Sequence, residues 1–134
     1  MKTLFVLLAS ALLFVGCETQ NDAHKSAAHA VPANLEPPQF IALDSGVQHS
    51  LKCNHVQAAP LPDGRLDVAA TLQNLENRRI QVQANCVFMD TNNAVVEETG
   101  FVNVFLDENA METVKFASLN DKAQKFTVRV RQAR

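Results

Sequence analysis

A strict alternation of apolar and polar side chains between residues 79 and 88 constrains the fold of this chain more than any other feature. One parity is apolar throughout and comprises Ile80, Val82, Ala84, Cys86 and Phe88. The other parity carries the amides Gln81, Gln83 and Asn85. Because successive side chains of a β-strand point to opposite faces, this pattern predicts a strand with one buried face and one solvated face.

Five other segments complete the predicted secondary structure of the domain. Strands are predicted at residues 47–57, 66–72, 101–106, 112–117 and 125–131. The polar loop at 74–78 is suited to a hairpin between the strands on either side of it. Six or seven short strands at intervals of roughly ten residues, with at most a short helical turn at 118–123, are typical of an all-β fold. The sequence therefore predicts an antiparallel β-sandwich of six or seven strands.

The first sixteen residues have the pattern of a bacterial export signal. Lys2 gives a positive start, an apolar run extends over residues 4–15, and Gly16 precedes Cys17. The run is roughly a dozen residues long, whereas a membrane-crossing helix needs about 20. A short apolar core that ends at a small residue is typical of a cleaved secretory signal.

Residues 13–17 (LFVGC) resemble the lipobox of bacterial lipoproteins. The resemblance implies cleavage between Gly16 and Cys17 and a diacylglyceryl group on Cys17, so that membrane lipid is one partner of the mature protein. Phe14 stands where the lipobox usually has leucine. Because Glu18 and not aspartate follows the cysteine, the resemblance also implies the outer membrane, with the protein facing the periplasm. An ordinary signal peptide that contains a cysteine is the alternative.

A polar segment separates the signal from the strands. Residues 18–38 are rich in Ala, Asn, Pro, Ser and charged side chains, without a sustained apolar period. A segment this poor in large apolar side chains cannot offset the entropy lost on ordering, so a disordered tether is predicted. The predicted organisation is therefore a signal helix over 1–16, a lipidated flexible tether over 17–38 and a β-sandwich domain over 39–134.

Cys53 and Cys86 are the two remaining cysteines, and both fall on the predicted core faces of their strands. An even pair in an exported protein predicts a disulfide, since disulfides form and persist in oxidising compartments. Such a bond would close a loop of about thirty residues and stabilise the fold by about 3 kcal/mol. Two buried free thiols are the alternative.

No set of side chains in the sequence has the spacing of a catalytic or metal site. The candidate metal ligands are His24, His29, His49 and His55. Two of them fall in the flexible tether, which cannot fix ligand geometry, so neither a metal nor a cofactor is predicted. The chain has no G-x-S-x-G elbow and no phosphate-binding glycine loop, and its basic residues are scattered. It is therefore predicted to be neither an enzyme nor a nucleic-acid-binding protein.

Three segments of the domain resemble the YcfL-like family of small periplasmic lipoproteins of Gram-negative bacteria. They are residues 70–74 entering a polar turn, 88–90 before an Asn-rich turn, and the closing strand 126–130. The resemblance implies an immunoglobulin-like sandwich and no catalytic residues. The family often has several aromatic residues before the second of these turns, whereas Val87 and Met89 flank a single Phe88 here.

The lack of recognisable chemistry favours a binding role. The first hypothesis is a non-catalytic accessory subunit that is anchored to the outer membrane and docks on a protein partner of an envelope assembly. The alternative is a small-molecule or glycan binding lipoprotein, which needs a concave pocket. The candidate contact residues are the amides at 81, 83 and 85 with Arg79, and the basic residues Arg129, Arg131 and Arg134. A merely solvated sheet face is the alternative explanation for both groups.

Overall fold

A computed structural model describes residues 37–133, which lie within one compact unit of the chain, Val31–Arg134. The predicted signal peptide, its Gly16–Cys17 junction and almost all of the predicted tether fall outside the described residues, as does Arg134. The described part is nearly all β. Its elements are β1 (Phe40–Ala42), α1 (Ser45–Ser50), β2 (Leu51–Pro60), β3 (Leu66–Asn74), β4 (Ile80–Met89), β5 (Val95–Glu98), β6 (Val102–Leu106), β7 (Met111–Ala117) and β8 (Lys125–Gln132).

The strands form two sheets that pack as a sandwich, which confirms the predicted fold class. In the five-stranded sheet, β4 lies at the centre with β8 along one edge. The other edge of β4 pairs first with β6 and then with β5. The second sheet has three antiparallel strands in the order β2, β3, β7.

Two features of the topology differ from the predicted antiparallel arrangement. Strand β1 pairs with β8 in parallel, and this pairing is extended by backbone hydrogen bonds from Val128 N to Gln39 O (2.9 Å) and from Leu43 N to Val130 O (2.8 Å). The loop at 74–78 is not a hairpin, because β3 and β4 belong to different sheets. The apolar period of a strand shows which side chains share a face but not which sheet the strand joins. Neither feature could therefore be predicted from it.

The predicted strand over residues 47–57 begins only at Leu51, because Ser45–Ser50 forms the short helix α1. Val47 of this helix is 1% exposed and belongs to the core, so the helical turn places an apolar side chain between the sheets. Consequently His49 lies in α1 and only His55 lies on β2. Within residues 37–133, no helix is long and apolar enough to cross a membrane.

The core lies between the two sheets and follows the predicted parity. All five apolar positions of β4 are buried, and the alternating apolar residues of β3 face them from the opposite sheet. Residues with no exposed surface in this layer are Val68, Ala70, Leu72, Ala84, Cys86, Phe88, Leu106, Val128 and Val130. The polar side chains of β4 consequently point away from the core, onto the outer face of the five-stranded sheet.

Candidate binding surface on the five-stranded sheet

The outer face of the five-stranded sheet gathers side chains that lie far apart in sequence. The register of β4 places Gln83 opposite Arg131 of β8 on one side and Asn103 of β6 on the other. Two residues earlier, Gln81 lies opposite Phe105. We call this set the arginine–amide surface, and it comprises Arg79, Gln81, Gln83, Asn85, Phe101, Asn103, Phe105, Arg129 and Arg131.

One hydrogen-bonded row crosses three strands of this surface. Arg131 Nε donates to Gln83 Oε1 at 3.0 Å, and Gln83 Nε2 donates to Asn103 Oδ1 at 3.1 Å. The row fixes the orientation of the Gln83 amide, because its oxygen accepts from one side and its nitrogen donates to the other. A network of this kind holds polar side chains in one arrangement before any ligand arrives.

A second row is built around Asn85, which has no exposed surface. Its Nδ2 donates to Glu98 Oε1 at 3.0 Å and to the Thr99 carbonyl at 3.2 Å, and its Oδ1 accepts from Arg129 Nε at 3.1 Å. Arg129 also forms an ion pair with Glu98. The sequence assigned Asn85 to the solvated face, but the structure makes it the buried centre of a polar cluster that joins β4, β5 and β8.

Two aromatic rings support the arginines of the surface. The guanidinium carbon of Arg131 lies 3.7 Å from the centre of the Phe101 ring, and that of Arg129 lies 5.9 Å from the same centre. Arg79 lies 5.1 Å from the centre of the Phe105 ring, which is 50% exposed. Cation–π contact of this kind holds a guanidinium over the ring and leaves its edge open to hydrogen bonding.

An open depression of about 310 Å³ lies at one end of the surface, lined by Arg79, Ile80, Gln81 and Phe105. A second cavity of about 210 Å³ lies on the other side of the same strand end and is bounded also by Ser50 and residues 132–133. The ion pair of Arg79 is weak, since its Nε lies 3.4 Å from Asp107 Oδ1 and both side chains are mostly exposed. The cationic group at this end is therefore accessible.

The structure brings together the two groups of contact residues that the sequence proposed separately. Arg79 and the amides of β4 share one face with Arg129 and Arg131. Phe101, Asn103 and Phe105 were missed, although a signal for them exists. Val104 and Leu106 are buried, so alternation along 101–106 places the aromatic rings and the asparagine on the opposite parity.

The predicted disulfide between Cys53 and Cys86 is not formed, and both residues are free thiols. Cys53 lies on the edge strand β2 of one sheet, whereas Cys86 lies on the central strand β4 of the other. Each sulfur contacts a carbonyl oxygen of its own strand, that of His55 at 3.7 Å and that of Val87 at 3.9 Å. Both thiols do face the core, as predicted, but facing the core from two sheets does not bring two sulfur atoms into bonding distance.

Burial controls the ionisation of both thiols. It raises the pKa of Cys86 to about 12, with a further contribution from the negative charge of Glu97. Burial also raises the pKa of Cys53 above its ordinary value. A thiol must ionise to act as a nucleophile or metal ligand. Both thiols therefore stay protonated and weakly reactive at neutral pH. Within residues 37–133, no three His, Cys, Asp or Glu side chains cluster closely enough to hold a metal ion.

Several acidic side chains of the turns have structural partners. Asp90 Oδ1 accepts hydrogen bonds from the backbone amides of Asn92 (2.8 Å) and Ala94 (3.0 Å). A hydrogen bond from the Arg65 side chain lowers the pKa of Asp63. These contacts are those of turn-stabilising carboxylates.

Two solved structures share this fold. The chain is 12% identical to Campylobacter jejuni cj0090, with a TM-score of 0.61 over 72% of this chain and 100% of that one. It is 23% identical to a DUF1425 family member from Shewanella sp. pv-4, with a TM-score of 0.58 over 69% of this chain and 87% of that one. No family model and no curated protein matches the sequence. At these identities the likeness shows the fold alone, so the resemblance to YcfL-like lipoproteins stays a prediction from sequence.

Proposed function

We propose that this chain is a non-catalytic accessory lipoprotein, anchored by Cys17 to the periplasmic side of the outer membrane, that docks on a protein partner through the arginine–amide surface. The observation that carries the docking role is the hydrogen-bonded row of Arg131, Gln83 and Asn103, together with the ring contacts that hold Arg131 and Arg79. The lipobox-like segment supports the anchor.

The composition of the surface supports a protein partner. Arginine and aromatic residues are enriched at the centres of protein interfaces, whereas lysine is depleted there. Three arginines and two phenylalanines lie on the arginine–amide surface; Lys125, which shares this face of the sheet, lies at its other end, opposite Met89. The outer face of the three-stranded sheet is different in kind: it carries Lys52 and Lys115 with small residues such as Thr71, and Met111 is its one large aliphatic side chain.

Pre-ordering also supports docking on this face. Fixing a free arginine side chain on binding costs up to about 2 kcal/mol of conformational entropy. Arg131 is already held by the amide of Gln83 and by the ring of Phe101, so much of that cost is met on folding. A surface prepared in this way loses less free energy on association than a lysine-rich face does.

Site-specific photocrosslinking in intact cells tests the docking role. The photoreactive analogue p-benzoylphenylalanine replaces Phe105 in one strain and Thr113 in a matched control. Thr113 lies on β7, on the outer face of the other sheet. We expect one discrete protein adduct from position 105 and none from position 113. Absence of an adduct at 105, or the same adducts from both positions, would contradict the proposal.

A separate measurement tests the anchor. Mass spectrometry of the mature protein is expected to find a chain that begins at Cys17 and carries a diacylglyceryl group. The variant Cys17→Ser is expected to lose the lipid and to leave the membrane fraction. A mature chain that begins elsewhere and bears no lipid would remove the anchor from the proposal without affecting the docking surface.

Glycan binding is the second candidate, and the depression beside Phe105 favours it. A half-exposed ring next to the Gln81 amide can stack on the apolar face of a sugar while the amide bonds a hydroxyl group. Co-sedimentation with purified cell wall distinguishes the two roles. Retention that Phe105→Ser abolishes, in the absence of a protein adduct at position 105, would favour the glycan.

A further inference from the structure

The three arginines of the arginine–amide surface differ in how far their hydrogen-bonding capacity is used. Arg129 donates Nε to Asn85 and pairs through Nη2 with Glu98, so it is committed to the fold. Arg131 donates only Nε, to Gln83, among the described residues. Arg79 has one polar contact in that same part of the chain, the 3.4 Å approach of its Nε to Asp107 Oδ1. Arg79 and Arg131 therefore keep open Nη edges.

An open guanidinium edge selects a particular kind of ligand. Two parallel N–H donors match the two oxygens of a carboxylate, and the pairing is stronger when the guanidinium is already oriented. Stacking on Phe105 and Phe101 supplies that orientation for Arg79 and Arg131 respectively. Each arginine is thus prepared to receive one carboxylate.

The spacing of the two arginines sets the length of the ligand. Residues of a strand rise about 3.3 Å each. Arg79 lies over Phe105, and Arg131 reaches across β4 to lie over Phe101, four residues earlier at β6. The two guanidinium groups are therefore about 13 Å apart, which an extended peptide covers in about four residues.

The groups between the arginines fit a peptide backbone. Gln81 makes no side-chain hydrogen bond within residues 37–133, and the Asn103 amide nitrogen is likewise unused there. Amide side chains can donate to peptide carbonyl groups and accept from peptide N–H groups. Counting Arg79, Arg129 and Arg131 against Glu98 and Asp107, the surface has a net charge of 3 − 2 = +1, on a chain of formal net charge −2.

We propose that the arginine–amide surface recognises an acidic, extended segment of a protein partner, with carboxylates about four residues apart bound by Arg79 and Arg131. This inference rests on the proposed docking function and names the chemistry of the partner. The peptide groups of the segment lie over Gln81, Gln83 and Asn103, and its apolar side-chain atoms contact the exposed ring of Phe105.

Fluorescence anisotropy with defined peptides tests the assignment. The full mature chain, in a non-ionic detergent, is titrated against fluorescein-labelled octaglutamate and against octaglutamine of the same length. We expect octaglutamate to bind at least about tenfold more tightly, since charge-assisted hydrogen bonds exceed neutral ones by that order. The variants Arg79→Gln and Arg131→Gln are each expected to weaken octaglutamate binding by about five- to tenfold.

Two controls separate this site from general charge attraction. Arg65→Gln removes an arginine that pairs with Asp63 in a distant turn, and it is expected to leave binding unchanged. Arg131→Lys keeps the charge but loses the planar fork, so it is expected to weaken binding nearly as much as Arg131→Gln. Circular dichroism checks that each variant is folded. If Arg131→Gln unfolds the domain, Arg79→Gln still tests the site, because the Arg79 side chain is mostly exposed.

Three results would overturn the inference. Equal affinity for the two peptides would exclude carboxylate recognition. Equal losses in Arg65→Gln and Arg79→Gln would reduce it to bulk electrostatics. Tighter binding of polygalacturonate than of octaglutamate would assign the site to an acidic polysaccharide. Crosslinking at position 105 reports separately on docking, so an adduct there without octaglutamate binding refutes the acidic segment and keeps the proposed function.

Discussion

The central guanidinium carbon of Arg131 lies 3.7 Å from the centre of the Phe101 ring. Phe101 directly precedes β6, and Arg131 lies near the end of β8, with β4 between the two strands. The contact therefore spans the width of three strands. Because Arg131 also bonds Gln83 of the intervening strand, one side chain links all three.

This contact predicts a measurable coupling between Arg131 and Phe101. We expect the double-mutant cycle of Arg131→Met and Phe101→Leu to give a coupling free energy of about 0.5–1 kcal/mol in urea unfolding. The cycle isolates the pair from the loss of the Gln83 hydrogen bond, which is common to both legs. The matched cycle with Arg129, whose carbon lies 5.9 Å from the same ring, is expected to give a smaller value. Equal couplings would show that ring contact does not order Arg131.

Among the polar side chains, we expect Asn74 to contribute most to the stability of the domain. It has no exposed surface, and its Nδ2 donates to the carbonyls of Arg78 (2.7 Å), Leu106 (3.2 Å) and Asp107 (2.8 Å), while Oδ1 accepts from Glu76 N (2.9 Å). One amide thus ties the β3–β4 connection to the end of β6. Asn74→Ala removes the four hydrogen bonds that this buried side chain makes to backbone groups, and we expect it to lower the free energy of unfolding by about 2–4 kcal/mol.

An exposed asparagine supplies the control for that measurement. Asn92→Ala, in the turn after β4, is expected to change the free energy of unfolding by less than about 0.5 kcal/mol. Both variants are compared by urea unfolding followed by circular dichroism. A loss at Asn74 no greater than that at Asn92 would mean that the crossover between the sheets does not depend on this amide.

The sequence predicted the central strand well because both of its faces are unambiguous. Every apolar position from Ile80 to Phe88 became core, since a one-residue shift of register would expose all of them. Periodicity could not find β5, which has four residues and a register shift against β4. Nor could it find α1, because a single core contact by Val47 and not a repeating pattern defines that helix.

The candidate surface was predictable in part, for a related reason. The amides of β4 were found because alternation assigns them to one face, but which strands flank them depends on topology. Only the pairing of β4 with β6 and β8 places Phe105 and Arg131 beside these amides. The burial of Asn85 was likewise unpredictable, because it depends on Glu98 and Arg129 closing over it from two other strands.

We expect the turn between β2 and β3 to require glycine at position 64 because of its backbone conformation. Its φ of +84° lies in a region that L-residues rarely adopt, and an added Cβ would meet Asp121 Cβ at 3.1 Å. We expect Gly64→Ala to lower the free energy of unfolding by about 1 kcal/mol or more. Gly100→Ala is the matched control, since nothing lies within 4 Å of its added Cβ. Thermal unfolding of the two variants should therefore differ, and identical melting temperatures would contradict the strain.

The ionisation of Cys86 predicts how stability depends on alkaline pH. Its pKa of about 12 in the folded domain exceeds the ordinary value of 9.0, because burial disfavours the thiolate. Below pH 9 the thiol is protonated in both states, so its effect on stability is constant. Between about pH 9 and 12 only the unfolded chain releases the proton, so stability falls by about 1.4 kcal/mol per pH unit.

Cys86→Ala separates this titration from other alkaline effects. The variant has a smaller side chain in the core and is expected to be less stable at pH 7, but its stability should fall less steeply from pH 9 to 11. Reaction with Ellman's reagent gives an independent measurement at pH 8. We expect Cys86 to react only after unfolding, because it has no exposed surface, and the partly exposed Cys53 to react slowly in the native domain.

In denaturant without reductant, the reagent should titrate two thiols in the domain. Finding none would mean that Cys53 and Cys86 are oxidised. If the free energy of unfolding of Cys86→Ala and of the parent domain fell equally with pH, Cys86 would ionise in the folded domain as readily as in the unfolded chain.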